Sequence, residues 1–229
     1  MIVYVDGENV VHQIMDALKR AGREGLREEM LKVDMAGLIR LLVRKKDVQI
    51  KYYATTLQLV KTDPDLEQRS RDMITWTGKW VNHLAAQGIE VVKAGKLMAR
   101  EGIACPNCGF KQTVFREKGV DVRLAVDLVV DSATEKLLVV WSSDADLLPA
   151  IQVAKEAGAR VKNLAHEDAL NWALARQCGE WQTYSDEELI KLVKKAERIT
   201  PADQNRASAG SGEALNLIEE EKANHGEQA

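Results

Sequence analysis

The stretch LLVVWSSDADLLP, residues 137–149, decides the fold. Leu137 to Trp141 run apolar without alternation, the mark of a strand buried on both faces. The run breaks into Ser142-Ser143-Asp144-Ala145-Asp146, and a helical pattern from Leu147 to Ala157 follows, ended by Gly158. Strand, acidic turn and helix in that order describe one βα unit of a parallel sheet. Outward from it the pattern repeats. Ile2 to Val5 is a short apolar run that breaks at Asp6-Gly7, and Asn9 to Ala21 reads as a helix with Val10, Ile14, Ala17 and Leu18 on one side.

Further strands are predicted at Val48–Ala54, Ile89–Val92 and Arg160–Leu164. Gly22 and Gly25 sit in a charged loop, after which Asp34 caps a helix carrying Leu38, Leu41 and Leu42. A long helix is predicted over Asp65–Gln87, where Trp76, Trp80 and Leu84 share one face; Trp76, Trp80 and Trp141 are read as core. Helices are also predicted at Val120–Ala133, 166–175 and 185–197. Residues Lys93 to Lys118 break the rhythm with Gly95, Gly102, Gly109 and the pair Cys105 and Cys108, and read as an inserted hairpin or loop over about 94–118. The predicted class is α/β: a Rossmann-like parallel sheet with helices on both faces, spanning 1–198, then a disordered tail over 199–229 rich in Ala, Ser, Gly, Asn, Gln and Glu.

The bulk numbers bound the function. At 229 residues and 45% hydrophobic, the chain can bury one sizeable core. A formal net charge of -3 excludes a global basic field, so nucleic acid would need a local patch. Three cysteines are an odd count with no secretory leader ahead of them, and a strand starting at Ile2 leaves no room for a targeting peptide. A cytoplasmic location is expected. No apolar run approaches the ~20 residues needed to cross a bilayer, so no membrane partner is expected.

Three acidic segments are the candidate site: Asp6, Asp121 in EKGVDV, and Asp144 with Asp146. In an open α/β sheet, ligands bind at the carboxyl edge where strand order reverses. The strands ending at Asp6 and at the SSDAD turn should be neighbours there, and the helix bearing Asp121 leads into the second of them. Each residue alone has an ordinary explanation as a turn, a cap or a first-turn acid. Together they converge. Clustered carboxylates repel unless a cation lies between them, and oxygen-only ligands suit Mg²⁺ or Mn²⁺. Asp127 falls about 120° around the helix from Asp121 and reads as a structural acid or one in the outer shell of the site. Glu8 remains open.

DGEN, KGVDVRLAVDLV and SSDADLLPAI, in this order, resemble the three signature blocks of the NYN domain, a branch of the PIN-like ribonucleases; the likeness covers about residues 1 to 165. Ser143 stands where glycine is usual and Leu147 where an aromatic is usual. The resemblance implies a PIN-like fold and a metal-dependent endoribonuclease. Its metal ligands would fall on Asp6, Asp121 and Asp144, with Asp146 beside them and Asn9 orienting Asp6 or the scissile phosphate. RNA would be the partner. The rivals are a non-catalytic RNA-binding or regulatory module of the same fold, and another phosphate-processing enzyme such as a DNA nuclease or phosphatase. A phosphoaspartyl phosphatase needs a second Asp at position 8, which is Glu.

Positive residues gather near the acidic blocks: Lys93, Lys96, Arg100, Lys111, Arg116, Lys118 and Arg123. Of these, Lys93, Lys96, Lys118 and Arg123, with Ser143 in the acidic turn, are candidates for holding a phosphate backbone. Phe110, Phe115 and Tyr53 are candidates for stacking on bases. Cys105-Pro-Asn-Cys108 looks like half of a zinc knuckle. Two more ligands are needed, and Cys178, His12, His83 and His166 have no suitable spacing. A homodimer could bring two pairs together; the alternative is a tight turn with two reduced thiols. No P-loop, GxGxxG, GxSxG or HExxH is present.

Overall fold

The computed structural model describes residues 1–60, 64–101, 104–109 and 113–197. The tail expected over 199–229, Phe110 and Lys111 lie outside the described residues, as do the side chains of Arg100, Phe115 and Arg116. The elements are β1 (Ile2–Asp6), α1 (Gly7–Arg20), α2 (Leu26–Met30), α3 (Met35–Val43), β2 (Gln49–Leu57), α4 (Pro64–Ala86), β3 (Glu90–Glu101), β4 (Thr113–Lys118), α5 (Val120–Asp131), β5 (Leu137–Trp141), α6 (Leu148–Glu156), β6 (Arg160–His166), α7 (Trp172–Cys178), β7 (Gly179–Tyr184) and α8 (Asp186–Glu197). Among the described residues, no helix is long and apolar enough to cross a membrane.

The strand order is β4-β3-β2-β1-β5-β6-β7. β1 pairs in parallel with β2 on one side and β5 on the other, so the order reverses at β1. Every pairing is parallel except β3 with β4, which is antiparallel. Side chains alternate across the buried strands. Val3 and Val5 face a core shared with α1, α3, α4 and α8, while Ile2 and Tyr4 face one shared with α5, α6 and α7.

Three elements differ from the sequence reading. β3 does not end at Val92 but runs on to Glu101 and pairs antiparallel with β4, so of the expected hairpin or loop it is the hairpin that forms, as part of the main sheet. The segment 179–184, expected between helices, is the edge strand β7. The charged loop contains the one-turn helix α2.

The placing of α5 follows from its inner acids. Tyr4 donates its hydroxyl to Asp131 (2.7 Å), and Lys51 forms an ion pair with the same carboxylate. Tyr53 donates to Asp127 (2.9 Å). These contacts hold α5 across β1 and β2. At its start, β3 carries a bulge opposite Ala54 and Thr56, where Gly95 takes φ of 66°. A Cβ on Gly95 would lie 2.5 Å from the Lys118 carbonyl, and one on Gly119 3.3 Å from the Gly95 Cα. The two bare backbones let the entry to α5 press onto β3, and Asp121 comes over the carboxyl edge.

Candidate active site

Asp6 ends β1 and caps α1. Its Oδ1 accepts the Asn9 N–H (3.4 Å), and its Oδ2 accepts the Ser142 hydroxyl (2.8 Å). Ser142 follows β5 directly and is fully buried; its Oγ also accepts the Asp144 N–H (3.1 Å). One hydroxyl therefore ties the acid at the end of β1 to the acidic turn after β5. Asp144 Oδ1 then accepts the Asp146 N–H (2.9 Å), which closes the short 3-10 turn 145–147. The turn is braced from behind. Asn163 on β6 donates to the carbonyls of Val140 (3.2 Å) and Ser142 (2.9 Å), and Asn171 donates to the carbonyl of Ser143 (3.2 Å).

The electrostatics show which acids share a neighbourhood. Asp6 is 7% exposed. Burial pushes its carboxyl up to about 6 from an ordinary 3.8; the Ser142 and Asn9 hydrogen bonds counter part of that rise, while Asp121 and Asp144 add to it. Asp121 is raised as well, first by burial and then by Asp144, Asp146 and Glu8. The three sequence blocks therefore converge on one edge, with Glu8 joining from the first turn of α1. Gly7 locks that turn: a Cβ there would lie 2.3 Å from the Tyr53 carbonyl and 2.6 Å from the Tyr52 ring.

Other sequence candidates fall differently. The Asn9 amide N–H holds Asp6, but its side-chain oxygen accepts from Gln13, which in turn accepts the Tyr184 hydroxyl. Lys93, Lys96 and Lys118 are exposed, with Lys96 opposite Lys118 in the β3–β4 ladder. Arg123 turns back along α5 to pair with Asp127 (2.9 Å). The Ser143 hydroxyl is buried without a hydrogen-bond partner among the described residues. Tyr53 is fully buried in the core rather than offered for stacking, and Trp80 and Trp141 are core as expected. Cys105 and Cys108 are free thiols in the turn at 104–109. Backbone amides of Asn107 and Cys108 and the Cys108 side chain hold the Cys105 thiol below the ordinary range.

Sequence reasoning left Glu8 open and missed Ser142 and the braces Asn163 and Asn171. Ser142 had a signal, since it is the first residue past a buried strand that ends beside Asp6. The asparagines had none, because their partners are carbonyls distant along the chain.

The donor set suits a hard divalent cation: Asp6, Asp121, Asp144 and Asp146 offer only carboxylate oxygens, and burial together with neighbouring acids disfavours the charged forms of Asp6 and Asp121. Among the described residues, no group of three His, Cys, Asp or Glu side chains is arranged to hold a metal ion. The fit is thus one of donor chemistry. Two of the carboxylate oxygens are engaged by Asn9 and Ser142, and one by Asp146.

A mainly parallel sheet with carboxylates gathered at its switch point defines an α/β protein with an acidic cluster at the carboxyl edge of β1 and β5. The NYN domain model matches residues 1–185, and the chain belongs to that family of nuclease-type domains. No curated protein matches the chain. Among solved structures, a protein of unknown function from Vibrio parahaemolyticus is similar at 18% identity and a TM-score of 0.48, covering 82% of this chain and 93% of that one. A phosphofructokinase-2 variant from Escherichia coli is similar at 14% identity and a TM-score of 0.32, covering 71% of this chain and 57% of that one.

Proposed function

We propose that the chain is a metal-dependent endoribonuclease whose working groups are Asp6, Asp121 and Asp144, with Asp146 beside them. The observation that carries this reading is the Ser142 hydroxyl that ties buried Asp6 to the turn bearing Asp144, with Asp121 near enough to raise the Asp6 carboxyl further above what burial alone does. Acids so placed cost stability unless they serve to bind positive charge. Asp6, Asp121 and Asp144 would hold a Mg²⁺ or Mn²⁺ ion. Bound there, the ion supplies Lewis-acid charge to a phosphate oxygen and lowers the pKa of a coordinated water. The chain's own part is positional. Ser142 and the Asn9 amide fix the Asp6 carboxylate, while Asn163 and Asn171 hold the turn that presents Asp144. No nucleophilic side chain is required, because phosphodiester hydrolysis depends on charge neutralisation and placement. Exposed Lys93, Lys96 and Lys118 would steer the RNA backbone.

The Cys105 and Cys108 pair would hold Zn²⁺ as half of a thiolate site completed by a second copy of the chain. The amide donors to Cys105 favour the thiolate such a site needs. The primary test is a fluorescent RNA incubated with wild type in Mn²⁺, in EDTA, and with Asp144→Asn. Shortening in the first alone supports the proposal; cleavage that survives EDTA or the substitution refutes it. Parallel flapped DNA and phosphomonoester substrates separate this reading from the other phosphate chemistries.

A further inference from the structure

Beside the carboxylates, at the end of β2, lies a cavity of about 200 Å³. It continues the same sheet edge, since Tyr53 of β2 stands opposite Asp6 in the β1–β2 ladder. Gly7 and Glu8, the two residues that follow Asp6, form part of its wall. The cavity is smaller than the roughly 300–1,000 Å³ pockets that take drug-sized molecules. It has room for one flat ring system rather than a length of polymer.

The lining suits such a ring. Trp76 and Trp80 of α4 stack on each other with rings 5° from parallel, and the Arg27 guanidinium lies 5.4 Å from the centre of the Trp76 ring. Trp80 is buried and held in place: its indole N–H donates to the Tyr52 hydroxyl (3.0 Å), which donates to the Gly7 carbonyl (3.0 Å). The aromatic wall is therefore wired to the turn that carries Asp6. The Thr55 hydroxyl, on a residue of the cavity wall, is buried and has no hydrogen-bond partner among the described residues. A buried polar atom left unpaired is costly, and a ligand with a hydrogen-bonding edge would satisfy it.

We propose that this cavity receives one unstacked nucleobase of a single-stranded RNA, a neighbour of the phosphate held at the carboxylates. Trp76 would meet the base face, Thr55 would bond its edge, and Arg27 would lie against the adjoining phosphate. Single-stranded RNA is the fitting occupant because its bases can be splayed out and stacked on aromatic side chains. The inference rests on the RNA reading above and names which part of the RNA is recognised.

The test is binding, with cleavage scored separately. The full chain is titrated by fluorescence anisotropy with a short labelled single-stranded RNA, and with copies in which one ribose at a time lacks its base. Wild type should bind one of the abasic copies about tenfold more weakly than the intact strand, within the range of a single base–aromatic stack. Thr55→Val keeps the side-chain shape and should shrink that difference several-fold; Trp76→Leu should erase it. Circular dichroism melts check that the variants fold, and Trp76→Phe, expected to keep part of the preference, stands in if Trp76→Leu does not. No binding, equal binding to every copy, or discrimination that survives in both pocket variants overturns the proposal. Discrimination by wild type of an RNA that stays uncut in Mn²⁺ would refute the hydrolytic reading alone and leave the base pocket standing.

Discussion

One helix carries two kinds of acid. Near the end of α5, Asp127 and Asp131 are answered by donors: Tyr53 and Arg123 for the first, Tyr4 and Lys51 for the second. At its start, Asp121 faces Asp144, Asp146 and Glu8, all of its own sign. Under the proposed function, the contrast separates structural from working carboxylates. Acids that dock a helix come with partners already in the fold, whereas acids that work come with a deficit of positive charge.

The largest expected effect lies on the unanswered side. Asp6→Asn or Asp144→Asn should lower RNA cleavage by roughly 10²–10³-fold or more, the scale of removing one pre-organised electrostatic group. Single-turnover rates with a labelled RNA measure this, and a circular dichroism spectrum unchanged from wild type shows that the loss is chemical. Asp127→Asn, on the answered side, should leave the rate within a few-fold of wild type. A comparable loss there would erase the distinction.

Stability should respond in the opposite sense. Lys51→Met leaves half-buried Asp131 without its cation and should cost about 1–3 kcal/mol in denaturant melts, less than a fully buried pair would because both partners retain some solvent. Asp6→Asn should instead stabilise at neutral pH. The folded chain binds the Asp6 proton more tightly than the unfolded one, with a carboxyl at about 6 against 3.8, so the ionised form is penalised in the fold. The penalty is absent below the lower value, grows as pH rises between the two, and is complete above the upper one. At pH 7 the substitution should recover up to roughly 3 kcal/mol in metal-free buffer, and near pH 4 almost nothing. A stabilisation equal at both pH values would contradict the assignment.

The smallest effect is expected at the cysteine turn. Cys105→Ser should remove any bound zinc, read by elemental analysis, and any zinc-linked dimer, read by sedimentation. Cleavage should change by no more than a few-fold.

Much of this was legible in the sequence, for identifiable reasons. The unbroken apolar runs at Ile2–Val5 and Leu137–Trp141 suit doubly buried strands, and the acids that end them are brought to one sheet edge when the strands pair in parallel. Asp34 announced its helix by type and position, and its carboxylate accepts the Gly37 N–H at 2.8 Å. β7 was hidden because GEWQTY is an edge strand with alternate side chains half or fully exposed, so it lacks the apolar signal of the centre. The extension of β3 was hidden by Gly95, which reads as a loop but is a bulge pressed against Gly119. In the site, the acids could be read, but their holders could not. Ser142, Asn163 and Asn171 act through carbonyls and carboxylates whose proximity exists only in the folded sheet. That Asp127 stands apart from Asp121 was visible in its angle around α5, whereas its partner Tyr53 was not.

The central claim is that acids from three separate stretches share one divalent ion. A crystal soaked in Mn²⁺ and measured at the manganese absorption edge tests it most directly. The account predicts an anomalous peak within bonding distance of Asp6, Asp121 and Asp144, and loss of that peak in Asp6→Asn; manganese bound elsewhere, or none bound at a concentration that supports cleavage, would contradict it.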